Sequence, residues 1–195
     1  MNPVHALFSL ICHQDPDRSF TIAGTVLPCC QRCTGLYLGL AVGLMVQLLS
    51  ASYKRGLPPK GILYTLIACL LVMPVFGFHL LDPGPGWRFW TGLIYGDALA
   101  YLLLPAVFTI ATRGTAVGPY TPRSAMAFWA QFAFVNALPL WFPVQSAAFV
   151  YAVLALDLAG ALGVILCLAV CLAVIVQTAL GRFLLKGDLH ATRPS

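Results

Sequence analysis

The sequence of 195 residues contains no glutamate and few charges of either sign. Its six acidic residues are all aspartates, and charged residues make up 9% of the chain against 60% hydrophobic residues. Globular domains carry about 25% charged residues, so much of this apolar surface must face lipid. The sequence also lacks a Walker loop, a Gly-x-Ser-x-Gly elbow, a His-Glu-x-x-His motif and a Cys-x-x-Cys-His haem attachment. These absences argue against the common nucleotide-binding, hydrolytic and c-type haem classes. The apolar composition predicts a membrane protein.

Basic residues outnumber acidic ones and give a formal net charge of +5. They lie in short loops between apolar runs, where Lys and Arg act as orientation signals, so we expect a lipid bilayer and no nucleic acid as partner. The stretch from Met1 to Ile11 has no basic start and is interrupted by His5, so it does not match a secretory signal. No long linker divides the chain, and we predict a single domain over residues 1–195.

Several apolar runs are long enough to cross a bilayer, which needs about 20 helical residues. We predict an all-α fold, a polytopic transmembrane bundle of about five spans, near residues 34–53, 61–81, 89–112, 124–144 and 159–180. Residues 1–33 form a Cys/His region, in which Pro3 to Ile11 is too short to span and is expected to be a re-entrant or interfacial helix. Breakers at Pro16, Gly24 and Pro28 predict a loop over 14–29. The apolar run 145–158 is too short for another span.

The distribution of basic residues orients these spans. Eight lie on one side and three on the other, namely Lys54, Arg55, Lys60, Arg113, Arg123, Arg182, Lys186 and Arg193 against Arg18, Arg32 and Arg88. The positive-inside rule then predicts a multi-pass protein of the cell (plasma or inner) membrane whose Cys/His region is extracytoplasmic.

Four of the seven cysteines lie in residues 12–33, directly before the first long span. Two thiolates one helical turn apart can bind one soft or borderline metal ion, and an adjacent Cys-His pair can complete a tetrahedral set. We therefore predict a zinc-like metal site formed by Cys12, His13, Cys30 and Cys33. Cys29 is expected to be a passenger, since adjacent cysteines rarely act as separate ligands in one small site.

Two alternatives use the same cysteines differently. Cys30 and Cys33 are also candidate catalytic residues of a membrane thiol–disulfide oxidoreductase, with Cys12 as the resolving thiol and a quinone as cofactor. In the second alternative, structural disulfides tie the N-terminal region to the first span of a translocating or scaffold protein. The motif alone does not separate an enzyme from a binding protein.

Further polar residues fall near the same predicted membrane face. His79, Asp82 and Arg88 are candidates for ligand or cofactor binding, and with Asp97 they predict a polar cavity beside the cysteines. Asp97 is also a candidate catalytic residue, because an ionisable group inside a span marks a functional site by default. Its structural alternative is a partner for Arg88 or for a tyrosine hydroxyl, that of Tyr37 or Tyr95.

Two further features have structural alternatives. Asp157 is either a third carboxylate at the outer face or a helix cap before Ala159. Glycines recur every fourth residue on the first predicted span, and small residues recur in the same way on the third, namely Gly35, Gly39, Gly43 and Gly92, Gly96, Ala100. Such faces allow close helix packing and are candidate contacts for a homo-oligomer.

The N-terminal half resembles the small bacterial and archaeal membrane proteins grouped as domain of unknown function 2085. The resemblance covers about residues 10–110 and rests on Cys12-His13-Gln14, Pro16 to Phe20, Pro28 to Gly39, Asp82, and Arg88 with Thr91, Gly92 and Gly96. It implies a membrane protein with this Cys/His motif and treats Cys29 as variable. No activity follows from it, and the preferred hypothesis is metal handling or sensing.

Overall fold

Helices make up most of the computed structural model, which describes residues 3–22, 24–77, 82, 84–112, 114, 118–137 and 147–191. The regular elements are helix α1 (Pro3–Phe8), strands β1 (Ser19–Ile22) and β2 (Thr25–Cys30), and helices α2 (Gln31–Ser50), α3 (Lys60–Gly77), α4 (Pro85–Ala111), α5 (Pro122–Ala137) and α6 (Ala147–Ala191). Single 3-10 turns cover Pro16–Arg18 and Ser52–Arg55. The predicted helical class is therefore correct.

Within the described part of the chain, three helices are long and apolar enough to cross a membrane: Gln31–Ser50, Pro85–Ala111 and the Val150–Gln177 part of α6. They coincide with the predicted spans 34–53, 89–112 and 159–180. Lys60–Phe76 is a shorter apolar helix. Residues 78–81 and 138–144, the ends of the other two predicted spans, lie outside the described residues.

Strands β1 and β2 pair as an antiparallel β-hairpin, which corrects the prediction of a loop over 14–29. Ile22 pairs with Thr25, and Gly24 adopts a φ of 76°, a left-handed conformation that favours glycine in tight turns. Leu27 and Ile22 pack on α6. The loop prediction counted Gly24 and Pro28 as breakers, although short β-branched runs flank this glycine turn.

The predicted glycine faces bring α2 and α4 into close contact. A Cβ atom built on Gly35 or Gly39 would overlap a carbonyl oxygen of α4, and one built on Gly92 or Gly96 would overlap a carbonyl oxygen of α2. These glycines therefore form a seam, here called the glycine seam, in which two backbones touch. Because the seam lies within one chain, it does not bear on the homo-oligomer, which stays a prediction.

Helix α6 runs through the point where the sequence suggested a break. Asp157 lies inside the helix, so the prediction of a helix cap at this residue is wrong. Gly160 fits directly against the Tyr37 carbonyl oxygen of α2, which explains a glycine at this position without a helix end. Residues 147–158, left without a definite assignment, belong to the same helix as 159–180.

The bundle has two chemically different ends. Matching contacts of Gly35 with Phe89 and of Gly43 with Ala100 show that α2 and α4 run in the same direction, with α3 returning between them. The cysteine end comprises α1, the hairpin and the first turns of α2 and α4. The arginine end comprises the last turns of α2, the 3-10 turn Ser52–Arg55 and the start of α5.

Candidate metal centre

Three cysteines from separate elements meet at the cysteine end. Cys12 follows α1, Cys30 ends β2 with extended backbone dihedrals, and Cys33 lies in the first turn of α2. Their sulfur atoms all lie within 4.8 Å of one another. The strand-to-helix junction explains this geometry, because Cys30 and Cys33 become neighbours when the chain turns into the helix. Three of the four predicted ligands are thus brought together.

Backbone and side-chain donors converge on the Cys12 sulfur. It accepts hydrogen bonds from the backbone N–H of Cys30 at 3.3 Å and of Gln14 at 3.5 Å. The Gln14 side chain donates in turn to the His5 carbonyl oxygen of α1, at 2.7 Å. Such N–H donors stabilise a thiolate, which is the form that binds metals.

Hydrogen bonds among the thiols shift their pKa values in opposite directions. Donation from Cys29, Cys30 and Cys33 lowers the pKa of Cys12 below its ordinary value, against the effect of burial. The hydrogen bond to Cys12 raises the pKa of Cys30, and it also raises that of Cys29, where burial and the charge of Asp157 act in the same direction. One thiolate, Cys12, is therefore favoured over its neighbours in the absence of a metal ion.

Apolar side chains pack around the cluster and bury Cys12, whereas Cys30 and Cys33 are partly exposed. Phe8, Cys12 and Cys29 are buried together, with Ile11, Tyr37, Leu154 and Leu158 packed around them. Cys29 is fully buried and lies outside the group of three mutually close sulfur atoms. All seven cysteines are free thiols, so the alternative of structural disulfides has no bond to support it.

His13, the fourth predicted ligand, has an exposed side chain and is not part of the group of three. It lines a cavity of about 250 Å³ together with Cys30 and with Asp15, Arg18, Arg32 and Arg88. Cys30 is therefore the cysteine that faces this cavity. A role for His13 as metal ligand stays a prediction.

Asp157 is a buried carboxylate beside the cluster. Its exposed fraction is 0%, and neither carboxylate oxygen has a hydrogen-bond partner among the described residues. Leu154 and Leu158 of the same helix pack on the cluster, and electrostatic interactions link Asp157 with Cys12 and Cys29, which places it on the cluster side of α6. Of the two alternatives predicted for Asp157, its position fits a carboxylate at the same face as the cysteines and not a helix cap.

The other predicted ligand-binding residues do not converge on one cavity. Arg88 makes a bidentate ion pair with Asp82, with Nη2 2.6 Å from Oδ2 and Nε 2.8 Å from Oδ1, and also donates to Gln31 Oε1 at 3.3 Å. Of Asp82, Arg88 and Asp97, only Arg88 lines the cavity. His79 lies outside the described residues.

Asp97 is paired inside the bundle, about 13 Å along α4 from Arg88. Its Oδ1 accepts a hydrogen bond of 2.6 Å from Gln131 Nε2 of α5, and its side chain is fully buried. The expected partners, Arg88, Tyr37 or Tyr95, were therefore wrong. Asp97 Oδ2 and Gln131 Oε1 have no hydrogen-bond partner among the described residues.

Comparisons with known proteins point to one family. A family model described as "Predicted membrane protein (DUF2085)" matches residues 12–102, which include all three clustered cysteines. The chain is 36% identical over 110 residues to the uncharacterized protein MJ1492 of Methanocaldococcus jannaschii, covering 54% of this chain and 69% of that protein. It is 39% identical over 102 residues to an uncharacterized protein of Methanothermobacter thermautotrophicus, covering 49% of this chain and 86% of that one. No solved structure matches the chain.

Proposed function

This chain belongs to the family of predicted membrane proteins DUF2085, and we propose that it handles or senses a metal ion at the cysteine end. The observation that carries the proposal is the approach of three sulfur atoms, those of Cys12, Cys30 and Cys33, to within 4.8 Å of one another. Zinc fits this donor set, since thiolates and a borderline metal are well matched.

The spacing of the sulfur atoms suits one ion. A tetrahedral zinc ion with Zn–S bonds of about 2.3 Å holds its sulfur ligands about 3.8 Å apart, so a small movement of the three side chains would suffice. Three protein ligands leave the fourth position to His13 or to an exchangeable ligand from the cavity beside Cys30. An open fourth position suits an ion that must be exchanged or sensed.

The topology supports five membrane crossings. α2 and α4 run in the same direction, and α6 does too, since Gly160 contacts Tyr37 and Gly163 contacts Leu44. α3 and α5 return between them and would complete a five-span bundle. With the basic residues of the arginine end in the cytoplasm, the metal centre faces the extracytoplasmic side of the cell membrane. α1 and the hairpin would then cover the centre at the membrane surface.

Elemental analysis of the detergent-purified protein tests the metal centre. We expect about one zinc or similar ion per chain, and loss of this metal in Cys30→Ser and Cys33→Ser. Cys69→Ser is the matched control, because Cys69 is a buried cysteine of α3 in a different apolar cluster. Wild-type protein without metal, or equal metal content in Cys30→Ser and Cys69→Ser, would contradict the proposal.

A second candidate is thiol–disulfide exchange, which the free state of all three thiols and the low pKa of Cys12 favour. Oxidation of Cys30 and Cys33 to a disulfide would release two electrons and two protons to a quinone, and Cys12 would resolve mixed disulfides. Thiol counting by alkylation in the same preparation separates the candidates. Reversible loss of two reactive thiols without bound metal would favour redox chemistry, whereas thiols blocked until a chelator is added would favour metal binding.

A further inference from the structure

The arginine end contains a cavity of about 350 Å³ that the proposed metal chemistry does not use. Polar lining residues come from the end of α2, the turn after it, α4 and the start of α5: Ser50, Arg55, Tyr101, Tyr120, Arg123 and Ser124. None of the described residues lining it is acidic. A cavity of this size can take a small molecule or a headgroup, and its walls carry two positive charges.

The two guanidinium groups have donors to spare. Arg55 is half-buried and uses Nη1 to donate to the Pro119 carbonyl oxygen at 3.3 Å. Arg123 is exposed and makes no ion pair among the described residues. Arginine donors in this arrangement match the oxygens of a phosphate group better than a single point charge would.

The start of α5 adds a third source of positive potential. Thr121 and Ser124 cap the helix reciprocally: the Ser124 N–H donates to Thr121 Oγ1 at 3.3 Å, and the Thr121 N–H donates to Ser124 Oγ at 2.9 Å. Both residues line the cavity, so the positive end of the dipole of this 16-residue helix lies at its wall.

An unpaired hydroxyl on a buried tyrosine of the cavity wall independently indicates a ligand. Tyr101 is only 3% exposed and lines the cavity, yet its hydroxyl makes no hydrogen bond with any described residue. Its ring is fixed edge-on against Phe128 at 4.9 Å, so the hydroxyl is held in place. Buried tyrosine hydroxyls usually have a partner, and a ligand oxygen in the cavity would supply one.

We propose that the arginine end binds a phosphate-bearing anion, with Arg55 and Arg123 contacting phosphate oxygens and Tyr101 donating a hydrogen bond from the cavity wall. The ligand is either the phosphate of an anionic lipid headgroup or that of a soluble phosphate compound. A carboxylate offers only two oxygens, whereas two guanidinium groups, a helix N-terminus and a hydroxyl together fit a tetrahedral oxyanion.

The test uses the full chain in neutral detergent and two probes. The first probe is inorganic phosphate, compared with chloride at equal ionic strength. Its binding is measured as a rise in the thermal midpoint of unfolding. The second is phosphatidylglycerol against phosphatidylcholine in mixed micelles, with bound lipids counted by native mass spectrometry. A saturable rise of the thermal midpoint with phosphate, without selective lipid binding, identifies a soluble ligand. Selective retention of phosphatidylglycerol over phosphatidylcholine identifies a lipid headgroup. Either result supports the proposal.

Variants decide whether binding occurs in this cavity. Arg123→Gln should weaken binding about tenfold, which corresponds to one charge-assisted hydrogen bond, and Tyr101→Phe should weaken it less while keeping the ring against Phe128. Lys60→Gln is the matched control, since it removes an equal charge at the start of α3, outside the cavity lining. Binding of neither probe, or equal losses in Arg123→Gln and Lys60→Gln, would overturn the proposal. Metal content should stay unchanged in Arg123→Gln, which keeps this test independent of the metal centre.

Discussion

The cysteine end places three sulfur atoms within 4.8 Å of one another beneath a hairpin and apolar side chains, whereas the arginine end surrounds a cavity of about 350 Å³ with guanidinium groups and hydroxyls. Soft metal chemistry requires close, shielded ligands, and anion binding requires hydrogen-bond donors with access for the ligand. Under the two proposals, the same helices would therefore meet opposite physical demands at their two ends. α2 connects them directly, since Cys33 is in its first turn and Ser50 is its last residue.

The largest effect should come from the glycine seam that holds α2 against α4. A Cβ atom on Gly92 would overlap the carbonyl oxygen of Arg32, which immediately precedes Cys33. Because two backbones meet there, Gly92→Ala should lower the free energy of unfolding by about 3 kcal/mol, at the upper end of overpacking effects, and reduce metal content. The measurements are thermal midpoint in detergent and metal ions per chain.

The matched control for this prediction is Gly86→Ala in the same helix. A Cβ atom built on Gly86 meets nothing within 4 Å, so this variant should keep the wild-type midpoint and metal content. Equal behaviour of the two variants would show that the seam does not position the metal centre. If Gly92→Ala also abolished phosphate binding, the two ends would not be separable, and the comparison between them would fail.

The buried pair Asp97–Gln131 lies between the two ends and should have the next largest effect. Gln131→Leu removes the donor to Asp97 Oδ1 and leaves a buried carboxylate without this partner, which should destabilise the fold by about 2 kcal/mol. The double variant Asp97→Leu/Gln131→Leu should recover most of the loss, since both polar groups are gone. Chemical denaturation measures both. A double variant less stable than Gln131→Leu would assign Asp97 a structural partner beyond Gln131.

Asp157→Asn sharpens the description of the cysteine end. The carboxylate is buried and unpaired beside the sulfur atoms, so it should attract a cation bound there. The Asp157→Asn variant, which has a neutral amide at this position, should bind zinc about tenfold more weakly than the wild type. An effect of this size is typical of groups that lie just outside the set of metal ligands. Competition with a chromophoric chelator measures the affinity. Asp97→Asn, the change at the buried aspartate of α4, is the control, and equal affinities of these two variants would remove Asp157 from the centre.

Features set by local spacing could be predicted from the sequence. Small residues at every fourth position predicted the faces that meet in the glycine seam, and Cys30-x-x-Cys33 predicted neighbouring sulfur atoms. Both follow from the period of the helix, which needs no knowledge of the rest of the fold. Membrane character likewise follows from composition, because about 30 Å of hydrocarbon requires long apolar helices.

Features that depend on packing between distant segments could not be predicted. The partner of Asp97 is Gln131, which is 34 residues away, and the sequence around neither residue predicts the pairing. Asp157 suggested a helix cap by its residue type, yet it lies inside α6, buried beside the cysteines of distant segments. The hairpin was missed because its strands of four and six residues give too short an alternation to outweigh the breakers within them.

The smallest effect should come from Arg88, the arginine that lines the cavity at the cysteine end. Unlike Arg123, it is already engaged, by Asp82 through two donors and by Gln31 through a third. Lysine cannot reproduce this fork, but the paired side chains remain 19% and 24% exposed, so Arg88→Lys should lower the free energy of unfolding by less than about 1 kcal/mol. A double-mutant cycle with Asp82→Asn in low and high salt measures the coupling, which salt should weaken.

Phosphate binding should be unaffected by Arg88→Lys and weakened by Arg123→Gln, because an arginine neutralised within the chain has little charge to offer an anion. A loss of phosphate binding in Arg88→Lys would place anion recognition at the cysteine end and reverse the assignment of the two ends.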